Sequence, residues 1–161
     1  MELNQRQAIH MCDGPHPLFF LVVSYNSRTF VYMTYLKTNT SDMTTPHIRR
    51  VVCETIRWCE TNVGKRRKKF SYHVKMAKER NTYYGAYDPT LKTITIYRDN
   101  CDTVKDVVRT TIHEYVHHLQ DLRHYDKILS QVGYHRHPLE REAKAYERMY
   151  TDCWKEIKDY I

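Results

Sequence analysis

The spacing of apolar residues changes period several times along the chain, and each change marks a predicted element. Ile48, Val51, Val52, Ile56, Cys59 and Val63 recur every three or four positions, the spacing of one buried helix face. Thr45-Pro46 supplies a capping hydroxyl and a proline for the start of that helix, and Gly64 closes it. Phe70, Tyr72, Val74 and Met76 then alternate with polar residues, which predicts a half-buried strand. Residues 81–87 form a second strand candidate, interrupted by Gly85, and Asp88-Pro89-Thr90 is turn chemistry. Residues 91–97, LKTITIY, are the most β-prone stretch of the chain. The three strands are expected as a meander.

A helical period returns after the cap Asp102-Thr103, over residues 103–122. Val104, Val108, Ile112, Tyr115 and Leu119 form its apolar stripe. Residues 123–137 are polar and rich in Tyr and His, and they read as an irregular connection. Pro138 opens a last helix whose stripe is Leu139, Ala143, Tyr146, Tyr150, Cys153 and Ile157. Upstream, residues 18–25 and 29–36 suit a hairpin turning at Asn26-Ser27, and residues 38–45 a polar linker. The expected fold is α+β: a scaffold helix, a small antiparallel-rich sheet, a central helix and a C-terminal helix. Residues 43–161 complete that domain. Residues 1–42 are then an accessory hairpin or N-terminal extension, or an upstream leader with Met43 as the start.

Composition narrows the class without naming a function. A chain of 161 residues, 41% hydrophobic and 28% charged, suits one globular domain. Its longest apolar run, residues 18–23, falls far short of the roughly 20 residues of a membrane span, and no small-residue cleavage site follows it. Cys12, Cys53, Cys59, Cys101 and Cys153 are odd in number and include no CxxC pair. That spacing disfavours a disulfide framework and favours a reducing, cytoplasmic setting. The net charge of +7 favours an anionic contact. Five consecutive cations, Lys65, Arg66, Arg67, Lys68 and Lys69, make either a solvated loop or a patch holding nucleic-acid phosphates without reading sequence.

The chemistry concentrates in His113-Glu114-Tyr115-Val116-His117. Two histidines four apart stand on one helix face, here almost opposite the apolar stripe. They can hold two corners of a tetrahedral zinc site, with Glu114 placed as general base. In a chain with ten histidines the alternative is an ordinary polar face, but the preceding strand and the capped helix start favour the metal. A third ligand is expected from the last helix. Glu142 lies on the flank of its apolar stripe, where a carboxylate is costly unless paired or metal-bound. Glu140 and Glu147 read as projecting away from that stripe, and Glu140 suits the helix dipole alone. Tyr134, His135 and His137 are candidate donors to a developing oxyanion. Residues 91–97 are the candidate sheet edge for adding a peptide substrate as a strand, with an interior strand as the alternative.

The segment TVKDVVRTTIHEYVHHLQ followed by HPLEREAKAYE resembles the compact gluzincin-type metallopeptidases. These include the ImmA/IrrE-like group and small phage-encoded relatives, and the likeness covers residues 70–150. Those proteins pair HExxH on one helix with an ExEA-type segment opening the next. The resemblance implies a minimal zincin fold, bound Zn2+ and hydrolysis of peptide bonds in a protein or peptide substrate. It implies His113 and His117 as ligands, Glu114 as general base and Glu142, directly before Ala143, as third ligand. The chain departs from that group at Lys144, where Asn is frequent, so the reading kept is a zincin in the broad sense. Gln120 and Arg123 stand where a metzincin needs Gly and His. An SprT-like, DNA-associated protease taking His135 or His137 as third ligand is the nearest alternative. A non-catalytic nucleic-acid-associated protein on the same fold is another.

Overall fold

The computed structural model describes residues 35–65, 73–77 and 83–161, the stretch 73–77 by its backbone. The hairpin expected over residues 18–36 lies outside the described residues apart from Tyr35 and Leu36, which are helical. Arg66, Arg67, Lys68 and Lys69 also lie outside them, whereas Lys65 pairs with Glu60 at 3.1 Å.

The fold is α+β. Helix α1 (Thr45–Asn62) is capped by Thr44, whose hydroxyl accepts from the His47 N–H. Three strands follow: β1 (His73–Ala77), β2 (Gly85–Asp88) and β3 (Thr93–Tyr97). Helix α2 (Val104–Leu119) opens on a complete capping box, the Thr103 hydroxyl accepting from Asp106 N–H and Asp106 accepting from Thr103 N–H. Helix α3 (Tyr125–Val132), helix α4 (Pro138–Tyr146), a 3-10 turn (Glu147–Met149) and helix α5 (Tyr150–Ile157) complete the chain.

Helix α2 is the hub, in contact with α1, β2, β3, α4 and α5. Ile48, Val51, Val52 and Ile56 of α1 and Ile94 and Ile96 of β3 are fully buried, as are Val104, Val108 and Ile112 of α2. The single buried stripe read from sequence thus widens into burial on most sides of α2, because helices and sheet both pack on it. The segment before α1 is no free linker: Leu36 is buried, and Thr40 N–H and Val104 N–H bond to Asp102 O and Thr38 O at 2.9 and 3.1 Å. Arg98 ties it down further, donating to Thr45 Oγ1, Thr40 O and Met43 O. The compact unit accordingly runs from Tyr35 to Ile161.

Three expectations are corrected. The sheet is not a meander: its order is β1-β3-β2, with β1 parallel and β2 antiparallel to β3. Residues 93–97 therefore form the central strand and β2 the edge nearer α2, so β2 replaces residues 91–97 as the candidate edge. Residues 125–132 are helical rather than irregular; Tyr125, Ile128, Leu129 and Val132 stand at i, i+3, i+4 and i+7, a period masked by the polar residues between them. The last helix is broken at Glu147–Met149. No helix among the described residues is long and apolar enough to cross a membrane.

Candidate metal centre

The α2 periodicity brings His113 and His117 one above the other, and their rings meet edge to face with Nε2 atoms 3.0 Å apart. Both Nδ1 atoms face acceptors: Glu147 Oε1 lies 3.0 Å from that of His113, and Gln120 Oε1 2.7 Å from that of His117. A carboxylate and an amide oxygen can only accept, so each Nδ1 carries a proton. Each neutral ring then aims a lone pair from Nε2 at the same point. This is how partners behind a ligand imidazole fix its tautomer and orientation.

The third group at that point is Glu140. Its Oε2 lies 3.3 Å from His113 Nε2 and its Oε1 3.2 Å from His117 Nε2. Metal–ligand bonds of about 2.0–2.1 Å in a tetrahedral site put neighbouring ligand atoms about 3.3 Å apart. The Nε2–Nε2 separation and the nearest approach of the carboxylate to each ring, through a different oxygen in each case, are close to that edge length. Oε2 of Glu140 is buried and makes no well-aligned hydrogen bond, so one acceptor faces the converging lone pairs unsatisfied. His113, His117 and Glu140 could hold a metal ion. No such ion is needed to order Oε1, which accepts from the Tyr125 hydroxyl at 2.5 Å, and the Tyr134 hydroxyl also reaches this carboxylate.

Without a metal, charge is shared along the same contacts. Burial alone would lower the His113 pKa, but hydrogen bonding to Glu140 and Glu147 outweighs it and lifts the ring to about 9. Burial alone would raise the Glu140 carboxyl; its imidazole and phenol contacts instead hold it well below the usual carboxylate range. Glu147 is lowered in the same way, burial being outweighed by His113 and by Arg109, which donates to Glu147 Oε2 at 2.6 Å.

Glu142, the ligand expected from sequence, is elsewhere. It is exposed, and its Oε2 accepts from Gln120 Nε2 at 3.0 Å. Its reach to the centre is indirect, through an amide that orients His117. The physical reason is helix phase. The face turned to α2 carries Glu140 and Ala143 of α4 and Glu147 at its C-cap, at i, i+3 and i+7. The stripe read from sequence carries one helical phase from Leu139 through Tyr150, Cys153 and Ile157 of α5. The 3-10 turn between the helices, at three residues per turn, shifts that phase by about 60°. The legible signal was the cap itself: His137 at the N-cap and Pro138 behind it start the helix, which puts Glu140 in the first turn beside α2.

The chain was compared with protein-family models, with curated proteins and with solved structures. None matches.

Glu114 is buried against β2. Burial raises its carboxyl to about 6, against the lowering effect of His113 and His117, and the Tyr87 backbone N–H donates to it. Gly85 permits this approach: a Cβ there would stand 2.6 Å from Thr110 Cγ2 and 3.1 Å from Glu114 Cγ. A cleft of about 680 Å3 opens over the centre, with His113, Glu114, Glu140 and Tyr134 in its lining. Of the two histidines considered as ligands or oxyanion donors, His135 lines the cleft. His137 is fully buried and spent on Leu139 N–H and Tyr125 O.

Proposed function

We propose that the protein is a zinc-dependent metallopeptidase in the broad zincin sense, with His113, His117 and Glu140 as ligands and Glu114 as general base. The observation that carries the reading is the convergence of two imidazole Nε2 atoms and one carboxylate, at mutual distances of 3.0–3.3 Å, beside a buried glutamate in an open cleft. Two imidazoles with one carboxylate favour zinc over magnesium or calcium, which prefer all-oxygen sites. Zinc bound there supplies Lewis acidity, acidifying a water and polarising the carbonyl to be attacked.

The chain supplies the rest. Glu114, with a carboxyl near 6, is matched to taking up a proton near neutral pH and delivering it to the leaving amine. The Tyr87 N–H holds that carboxylate in place. Tyr134, half-exposed in the cleft with its hydroxyl already at Glu140, is the candidate donor to the oxyanion. Among the described residues β2 pairs with β3 alone, and its other edge offers strand addition to an extended peptide. The thiols Cys59, Cys101 and Cys153 are free and buried, which suits work in a reducing compartment such as the cytoplasm.

Elemental analysis of the purified protein and hydrolysis of an unfolded protein substrate test this reading. One equivalent of zinc is expected, with hydrolysis lost in Glu114→Gln while the zinc stays. A protein that takes up no zinc, or a Glu114→Gln variant as active as the parent, would overturn it.

A further inference from the structure

The cleft has one wall of unpaired positive charge. Arg141 and Lys144 of α4 are exposed, one helical turn apart, on the flank of the face that carries Glu140, and both line the cleft with His113 and Glu114. The other charged groups lining it are engaged: Arg109 with Glu147, Glu147 with His113, Asp106 in the α2 cap, Glu140 with Tyr125, and Glu114 with the Tyr87 N–H. Among the described residues Arg141 and Lys144 make no side-chain hydrogen bond or ion pair. Two long cations beside each other at the mouth of a site, with every nearby carboxylate committed, leave a carboxylate from outside as their complement. The lining also includes Gly85 at the start of β2 and the two residues before it, Tyr83 and Tyr84, both more than half exposed.

We infer that this cleft selects peptide segments carrying an acidic side chain close to the bond held over the metal centre, with Arg141 and Lys144 as its specificity-determining residues. The inference rests on the metallopeptidase reading for the identity of the ligand as a peptide. An extended segment lying between β2 and α4 meets Gly85 and the tyrosines on one side and the two cations on the other. A Glu or Asp side chain pointing to α4 reaches them, whereas a Lys or Arg there meets like charge. Two partly exposed ion pairs amount to about a tenfold preference in affinity, reduced as salt screens it.

The test uses the full chain, loaded with zinc and carrying Glu114→Gln so that bound peptide persists. Two pools of fluorescein-labelled dodecapeptides, identical except that one has Glu where the other has Lys, are titrated by anisotropy at about 0.1 M salt. The acidic pool is expected to bind about tenfold more tightly. Adding Arg141→Glu and Lys144→Glu should invert the order, a gain that misfolding cannot imitate. Equal binding of the pools, binding of neither, or an acidic preference that survives the double reversal would each overturn the inference. Hydrolysis of the same pools by the protein without Glu114→Gln separates the two claims. Acidic preference and its inversion without hydrolysis would leave the selective cleft standing and remove the peptidase; hydrolysis with no preference would do the opposite.

Discussion

Nε2 of His113 and Nε2 of His117 stand 3.0 Å apart with both Nδ1 protons committed elsewhere. Two lone pairs at that distance, with a carboxylate beside them, require a cation between: a metal, or a proton on one ring. The raised pKa of His113, about 9 against an ordinary 6.5, is the metal-free form of that requirement. Metal and proton therefore compete. Apparent zinc affinity should climb by about tenfold per pH unit from neutral pH and level off above pH 9, read by chelator competition. The sign for stability is opposite. A group whose folded pKa is raised stabilises fully below its ordinary value, and that contribution is lost as pH rises through the folded one. Metal-free protein should thus lose thermal stability between pH 6.5 and 9, and zinc-loaded protein should lose less. An affinity that does not change over this window would mean that the proton is not held there.

The two glutamates of α4 should separate cleanly. Glu140→Ala removes a donor and should weaken zinc binding by about a hundredfold or more, whereas Glu142→Ala acts only through Gln120 and should cost about tenfold at most. Zinc retained after gel filtration, measured for both variants side by side, checks this. Loss of metal from Glu142→Ala alone would restore the assignment made from sequence.

Glu147 bonds His113 from behind and pairs with Arg109. Glu147→Ala frees the ring to rotate and leaves the guanidinium unpaired at a half-buried position. The expected result is zinc binding weaker by about ten- to a hundredfold with a fold otherwise retained. Glu147→Gln keeps an acceptor for Nδ1, and its zinc affinity should fall between parent and Ala variant.

Gly85 is a point of close approach between β2 and Glu114. Gly85→Ala puts a methyl 2.6 Å from Thr110 Cγ2, 3.0 Å from Thr95 O and 3.1 Å from Glu114 Cγ, so the strand or the side chains of Thr110 and Glu114 must shift. A misplacement near 1 Å can cost about a hundredfold in rate, so kcat should drop by about that factor. Zinc content should not change, because no ligand is touched. Unaltered kcat would show that β2 yields without moving Glu114.

Much of the site was legible because its first half is local. His113, Glu114 and His117 lie within five residues of one helix, and the Thr103–Asp106 capping box that starts α2 spans four. Helix α1, α2 and the strand character of residues 93–97 followed from period and cap alone, and so did the α+β class. The third member of the cluster, Glu140, was not legible in the same way. Gln120 and Glu147, which hold the imidazoles, and Gly85, which admits Glu114, likewise had no marker within their own windows.

The chain's order of residues by itself determined α1, α2, the strand character of residues 93–97 and which face of α2 carries the histidines, since such periods depend on neighbours a few positions away. Only the tertiary structure decided that Glu140 rather than Glu142 meets those histidines, and that β2 rather than residues 91–97 forms the edge beside them. Each of those outcomes is a choice between distant segments: the rotation of α4 against α2, reset by a 3-10 turn, and the insertion of β3 between β1 and β2. Short windows of sequence hold no record of either, because the free energy that selects them is spread over contacts made across the whole core.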